Sequence, residues 1–367
     1  MASTSITTAV LTIFGGCCSN VATLETLTNH KLINVNEVDL NIGNFVTFCQ
    51  FSFIAVLRLP HFVSFKKKNN GSRLFVPKFK PLHVPLRIYF VSVLLFFFSS
   101  VGNNMVFNYG ITVPIHITFR CFSTVLTMLT CYLLNGRRYS KIQVGSTIFL
   151  TFGAFLASLY RNHDFKLEDL YQLNPTNMIV VKDTLFLKGM MILFISSMMS
   201  SLLSAYDERI YMKYGKHWEE NMFYCHLLSL PLFIISNYSK LLNTAKALII
   251  SSAPRYNLFT IPIWNKHFYI PYNVLVLITN LVTQSICITG VNILASHTSA
   301  LTLSVMLLVR KFVSLLLSVI FFNNRLSKTS YTGIIIVFFG AFLYSLGDRK
   351  VKNKQENFSK KDANKAK

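Results

Sequence analysis

The sequence predicts an all-α polytopic membrane protein of ten transmembrane helices arranged as two inverted five-helix repeats, and three observations lead there. Only 14% of the 367 residues are charged and 52% are hydrophobic, where an ordinary soluble domain carries roughly 25% charged residues. Apolar runs of about twenty residues recur along the chain, the length that crosses a hydrocarbon core of roughly 30 Å. One stretch in each half also repeats the same anchor residues at nearly the same spacing.

The first two runs, 6–27 and 41–59, carry scattered Asn, Gln, Thr and Gly, which suit helices facing a bundle better than helices facing lipid. No basic n-region precedes the first run, so it is expected to stay as a helix and not to leave as a secretory signal. The third run, 86–108, leads into Asn103, Asn104 and Tyr109; the fourth, 113–134, carries His116 and Arg120. The fifth (141–160) and tenth (329–347) hold the related strings GAFLASL and GAFLYSL. Between them lie 186–206, 220–239, 272–296 with Gln284 and Asn292, and 300–322 with Arg310 and Lys311 side by side. Connections 161–185 and 240–271 are long, and the basic tail 348–367 reads as disordered. The expected organisation is one transporter domain over 1–347, with a first repeat near 6–160 and a second near 186–347.

Aligning the segment from Phe119 with that from Val309 sets Arg120 on Arg310, Ser140-Lys141 on Ser327-Lys328, and GAFLASL on GAFLYSL, with three residues fewer in the second turn. A five-helix unit has an odd number of crossings, so its second copy enters the membrane in the opposite sense, with a substrate site near the midplane between the halves. The competing reading is chance recurrence in a limited apolar alphabet. Gly145 with Gly153, and Gly333 with Gly340, are spaced to mark one face of each helix for close approach.

The seven cysteines all fall inside runs and read as packing residues, neither a disulfide framework nor a metal set. The formal charge of +22 is concentrated between Lys66 and Arg87 and after Arg349. With ten spans both clusters share a side with Arg137, Arg138 and Lys141, and the excess of cations makes that side cytosolic. The same distribution argues against a nucleic-acid partner and for the lipid bilayer.

A cation at the bilayer centre costs at least about 2.5 to 3.5 kcal/mol. The ionisable residues that lie well inside the runs, away from their ends, are Glu25, Arg120, Arg310 and Lys311, with His116 one turn before Arg120. Three cations against one anion leave a surplus that a dianion would balance, and a guanidinium beside an ammonium suits a pyrophosphate. Arg310 shares its helix face with Ser314 and Ser318. Asn103, Asn104, Gln284, Asn292 and, on the first helix, Asn20 are amides for a base or sugar, or glue between helices. The alternative is that Arg310 bonds a backbone carbonyl and Lys311 snorkels. Asp207 and Glu208 beside Arg209 read as a salt-bridged helix end or a gate. There is no pair of carboxylates inside the runs, no HExxH and no Gly-rich phosphate loop, so neither catalysis, a metal nor a cofactor is expected.

The stretches FGGCCSNVATLE (14–25), VPIHITFRCFSTVLTMLTCYLLNGRRYSKIQ (113–143), SSLLSAYDERIYMKYGKHWEENMFYCHLLSLPLF (200–233) and VNILASHTSALTLSVMLLVRKFVSLLLSVIFFNNRLS (291–327) resemble the UDP-N-acetylglucosamine carriers of yeasts, within the nucleotide-sugar transporter family of the drug/metabolite transporter superfamily. The resemblance implies ten helices in two inverted halves, residence in the endoplasmic reticulum or Golgi membrane with both termini cytosolic, and exchange of cytosolic UDP-N-acetylglucosamine for lumenal UMP. It implies a phosphate region at Arg120, Arg310, Lys311 and Glu25. A homo-oligomer stays open, as do other cargoes (UDP-xylose, another nucleotide sugar, ATP/ADP) and, from a different class, a membrane-embedded transferase.

Overall fold

The computed structural model describes residues 2–29, 42–67, 75–109, 111, 113–159, 184–250, 255–261, 266–322 and 327–365. Among these there are ten α-helices: α1 (Ala2–Asn29), α2 (Ile42–Phe62), α3 (Leu86–Met105), α4 (Val113–Asn135), α5 (Lys141–Leu159), α6 (Thr184–Tyr214), α7 (Trp218–Ile250), α8 (Tyr272–His297), α9 (Ala300–Phe322) and α10 (Lys328–Lys365). Two antiparallel hairpins join them, β1 (Val63–Lys67) with β2 (Phe75–Phe79) and β3 (Arg255–Ile261) with β4 (Lys266–Pro271). Six helices, α1, α2, α3, α6, α8 and α10, are long and apolar enough to cross a membrane. Shorter apolar segments, Cys121–Asn135 and Lys141–Ala157, lie in α4 and α5. The chain is therefore a multi-pass membrane protein.

The helices group into two compact units, each drawing on both halves of the sequence: 1–97 with 210–298, and 98–209 with 299–367. In the first unit α1 packs along α8, and α7 packs on both α2 and α8. A Cβ added at Gly290 would sit 2.9 Å from Ala9 O, so only glycine admits this approach. The close packing brings Cys17 and Cys287 to a Cα separation of 4.7 Å, joined as a disulfide. This corrects the reading of all seven cysteines as mere packing residues. Asn20, a candidate ligand amide in the sequence, instead donates Nδ2 to Asn280 O (3.0 Å), and Asn280 donates Nδ2 to Asn20 O (3.2 Å) and to Thr23 Oγ1 (3.0 Å). Gln50 Nε2 completes the rung on Asn280 Oδ1 (2.8 Å). Such interhelical bonds contribute about 0.6 kcal/mol each in a membrane.

The second unit is built on α5 against α10 and α4 against α9. A Cβ at Gly333 would meet Ala157 N at 2.5 Å and Gly153 O at 2.7 Å, so the α5 and α10 backbones touch through these glycines. Gly145 faces open space and takes no part, unlike the pairing expected of it. Leu150, Ala154, Leu301, Leu308, Ile334 and Val337 form the apolar core. Ser140 caps α5 reciprocally with Gln143 (Ser140 N to Gln143 Oε1 3.0 Å, Gln143 N to Ser140 Oγ 3.2 Å), and Ser327 caps α10 through Ser330 N at 3.0 Å. These two serines are the pair that the repeat alignment superposes.

Two expectations about connections change. The segment 240–271 does not form one long loop: α7 runs on to Ile250 because Leu241 and Leu248 bury against Val276 and Leu277 of α8, and Arg255–Ile261 and Lys266–Pro271 form β3 and β4. The tail continues α10 to Lys365 where composition suggested disorder; no proline interrupts it and its Lys, Glu, Gln and Ala are good helix formers.

Candidate functional site

The second unit encloses a polar cavity of about 120 Å³. Four elements supply its walls: Asn103 at the end of α3; Ser123, Thr124 and Thr127 of α4; Ser197, Ser200 and Ser204 of α6; and Leu303, Ser304, Leu307, Leu308, Arg310 and Lys311 of α9. The spacing explains who lines it. Positions 304, 307, 308 and 311 share one helical stripe, and 303, 307 and 310 overlap it, so both cations reach the same opening although their directions differ by about 100°. Lys311, for which snorkelling away was the alternative, therefore lines the cavity as Arg310 does.

The α6 wall comes from SSMMSSLLSAY, where Ser197, Ser200, Ser201 and Ser204 recur at helical spacing. Most helical hydroxyls bond a carbonyl one turn back: Ser201 donates to Ser197 O (3.0 Å) and Ser204 to Ser200 O (3.1 Å). Ser197 differs. Its side chain is 3% exposed and its Oγ meets no partner. Asn103 is tied at one end only, with Nδ2 donating to Ser99 O (2.8 Å) while buried Oδ1 stays unsatisfied.

Of the residues expected from the sequence, the cavity brings together Asn103, Arg310 and Lys311. Arg120 lies one turn before Thr124 on α4, in register with the cavity-lining stripe, and its side chain lies outside the described residues. The Glu25 side chain also lies outside them, on α1. His116 is buried near the start of α4, and Asn104 follows Asn103 on α3; neither lines the cavity. Ser314 lies on α9 beyond the opening, and Ser304 takes the place foreseen for it. Gln284 and Asn292 sit on α8 in the first unit, where Asn292 Nδ2 donates to Ile288 O (2.9 Å). Sequence reasoning missed the α6 serines, whose signal was the polar stripe on an apolar helix.

A second charged node closes one end of this unit. Gly136, at φ 61°, ends α4 and turns Arg137 toward α6. Arg137 then grips Glu208 Oε1 through Nε (3.0 Å) and Nη2 (2.7 Å). Glu208 Oε2 accepts from Asn135 Nδ2 (3.4 Å) and from the Ala300 amide (3.4 Å) at the start of α9. The ion pair expected with the neighbouring Arg209 is thus made with Arg137. One carboxylate ties together α4, α6 and α9, the helices that line the cavity.

In the first unit, Glu220 accepts from the amides of His83 and Val84 (both 3.1 Å) and from His83 Nδ1 (2.8 Å), and the rings of His83 and His217 stack at 4.1 Å. Ligand-type atoms of His83, His217 and Glu220 lie within 4.8 Å of one another and could hold a divalent cation. Glu220 already has three donors there, which makes the cluster a clasp between the α3 approach and the start of α7.

The model of the UAA transporter family matches residues 5–348. The chain is 47% identical to a UDP-N-acetylglucosamine transporter of Saccharomyces cerevisiae over 91% of its own length and 92% of the relative's. It is 32% identical to the endoplasmic reticulum GDP-fucose transporter of Drosophila melanogaster, covering 92% and 89%. One solved crystal structure superposes with a TM-score of 0.62 at 13% identity, over 95% of this chain and 98% of that one, and shares the fold.

Proposed function

This chain belongs to the UAA transporter family, and we propose that it is an antiporter carrying UDP-N-acetylglucosamine from the cytosol into the lumen of the endoplasmic reticulum or Golgi in exchange for UMP. The observation that carries the reading is the pair Arg310 and Lys311 opening together on one polar cavity. A forked guanidinium beside a point-charge ammonium matches a pyrophosphate and, less fully, the single phosphate of UMP. Arg120 adds a third cation from the α4 stripe, and Glu25 neutralises the empty site so that the return step needs a ligand. His116, Asn104 and Ser314 in the second unit, and Gln284 and Asn292 in the first, are the further residues assigned to cargo binding. Its relatives are transporters, and the function is transport, with no chemistry performed on the cargo.

The proposed frame is ten spans in two inverted repeats, α1–α5 and α6–α10. The helix pairing supports it. If each helix n exchanges with n+5, then α2 with α7, α4 with α9 and α5 with α10 map onto themselves, and all three pairs pack. The α1–α8 pair maps onto α6–α3, and Gly102 of α3 lies against Ser196 of α6.

Liposomes reconstituted with the purified protein and loaded with UMP should accumulate intact labelled UDP-N-acetylglucosamine faster than empty ones. Uptake indifferent to internal UMP removes the exchange mechanism, and labelled product other than the substrate removes the transport reading.

A further inference from the structure

Two uncharged polar atoms in the cavity stand apart from the rest. Asn103 Oδ1 and Ser197 Oγ are buried without a partner, on two different helices, in a space whose other walls carry Arg310 and Lys311. A buried polar group left unmade costs about 1 to 3 kcal/mol, so two in one cavity point to a ligand that satisfies both. Because Nδ2 of Asn103 is held by Ser99 O, the face it offers is an acceptor only. Ser197, whose hydroxyl is not bonded back to its own helix, can donate.

A ligand for this pair needs a donor and an acceptor a short distance apart, close to a phosphate. We propose that Asn103 and Ser197 are the specificity-determining residues for the acetamido group of the sugar: Asn103 Oδ1 accepts its N–H and Ser197 Oγ donates to its carbonyl. The inference rests on the reading of Arg310 and Lys311 as the phosphate site and goes beyond it to the part of the cargo they cannot read. The chemistry of the cargo agrees. In a nucleoside-diphosphate 2-acetamido sugar the acetamido carbon neighbours the anomeric carbon that bears the phosphate, so its recognition site must adjoin the phosphate cations. A plain hydroxyl at the same carbon offers one oxygen where the acetamido group offers a separate donor and acceptor, and a site built for the full pair discriminates against the analogue that lacks it.

The test is the ratio of two half-inhibitory concentrations, UDP-glucose over UDP-N-acetylglucosamine, against labelled UMP exchange in proteoliposomes. A ratio within one preparation cancels the amount of folded carrier. Wild type should prefer the acetamido sugar; Ser197→Ala and Asn103→Leu should each lower the ratio about tenfold, and Ser197→Thr, which keeps the hydroxyl, should restore it. Where a variant exchanges too little UMP to measure, the shift in melting temperature given by each nucleotide sugar supplies the same comparison. A ratio unchanged in both Ser197→Ala and Asn103→Leu overturns the proposal while leaving the phosphate reading in place. A wild-type protein that UDP-N-acetylglucosamine fails to inhibit overturns the substrate reading and this inference with it.

Discussion

Arg310 and Lys311 show how a single residue type becomes legible. A cation in an apolar run has no cheap place to go, so its presence signals a partner, and the structure puts both on one cavity. Arg310→Ala should abolish uptake in proteoliposomes while the protein still inserts and remains monodisperse, and near-normal transport would remove its phosphate role. Ser197 was not legible in the same way, because a helical serine that bonds its own backbone is ordinary and only the missing bond marks this one. Glu208 lies between these cases. Its charge was visible, but its partner, Arg137, depends on a left-handed turn at Gly136 that brings a distant residue closer than its neighbour Arg209. Glu208→Ala should destabilise the detergent-solubilised protein by about 1 to 3 kcal/mol, because the buried Ala300 amide loses its side-chain acceptor and Asn135 keeps only its bond to Ala205 O. The Arg137 side chain is 40% exposed, so screening takes part of the ion-pair contribution, and Glu208→Gln, which retains an acceptor, should lose less. Equal melting temperatures for the two variants would show that charge alone sets the effect.

Helices are the scale at which the sequence was most informative. The ninth run, 300–322, coincides with α9, and the second copy of the Ser-Lys anchor becomes the α10 cap as the first becomes the α5 cap. Hydropathy is a property of each segment, so it survives without knowledge of neighbours. Interfaces are not. Gly145 and Gly153 read alike, yet only Gly153 touches α10, because eight residues rotate about 80° past two full turns, which leaves Gly145 off the face where Gln143, Leu150 and Gly153 meet Gly347, Gly340 and Gly333. Likewise Leu241 and Leu248 extend α7 through burial against α8, a contact that no local pattern announces. The glycine contrast is testable. Gly333→Val forces side-chain atoms into the Ala157 backbone and should cost about 1 to 3 kcal/mol, lowering the melting temperature, whereas Gly145→Val should leave it within experimental scatter. Equal losses at both positions would mean that the close α5–α10 approach at Gly333 does not set the cost.

For the whole molecule, the argument that reaches furthest is electrostatic. A carrier built from inverted repeats must still choose one orientation, and the choice lies with short connections rich in Lys and Arg. Here Lys66, Lys67 and Lys78 belong to the β1–β2 hairpin, Arg137 and Arg138 to the turn after α4, and Arg349 and Lys350 to the end of α10. Among the described residues an even number of helices separates each of these from the next, so the proposed ten-span frame puts all of them on one face, which the bias would make cytosolic. On that frame the connection 161–185, of which 161–183 lie outside the described residues, is expected on the lumenal side. Glycosylation sequons engineered into 161–185 should be modified in microsomes, while sequons placed after Lys365 and the natural Asn70-Gly71-Ser72 should not. Modification of Asn70 together with an unmodified 161–185 insertion would invert the orientation, and with it the direction of transport. Modification of both would break the even count, and the two-repeat frame would fail for a reason that hydropathy alone could not reveal.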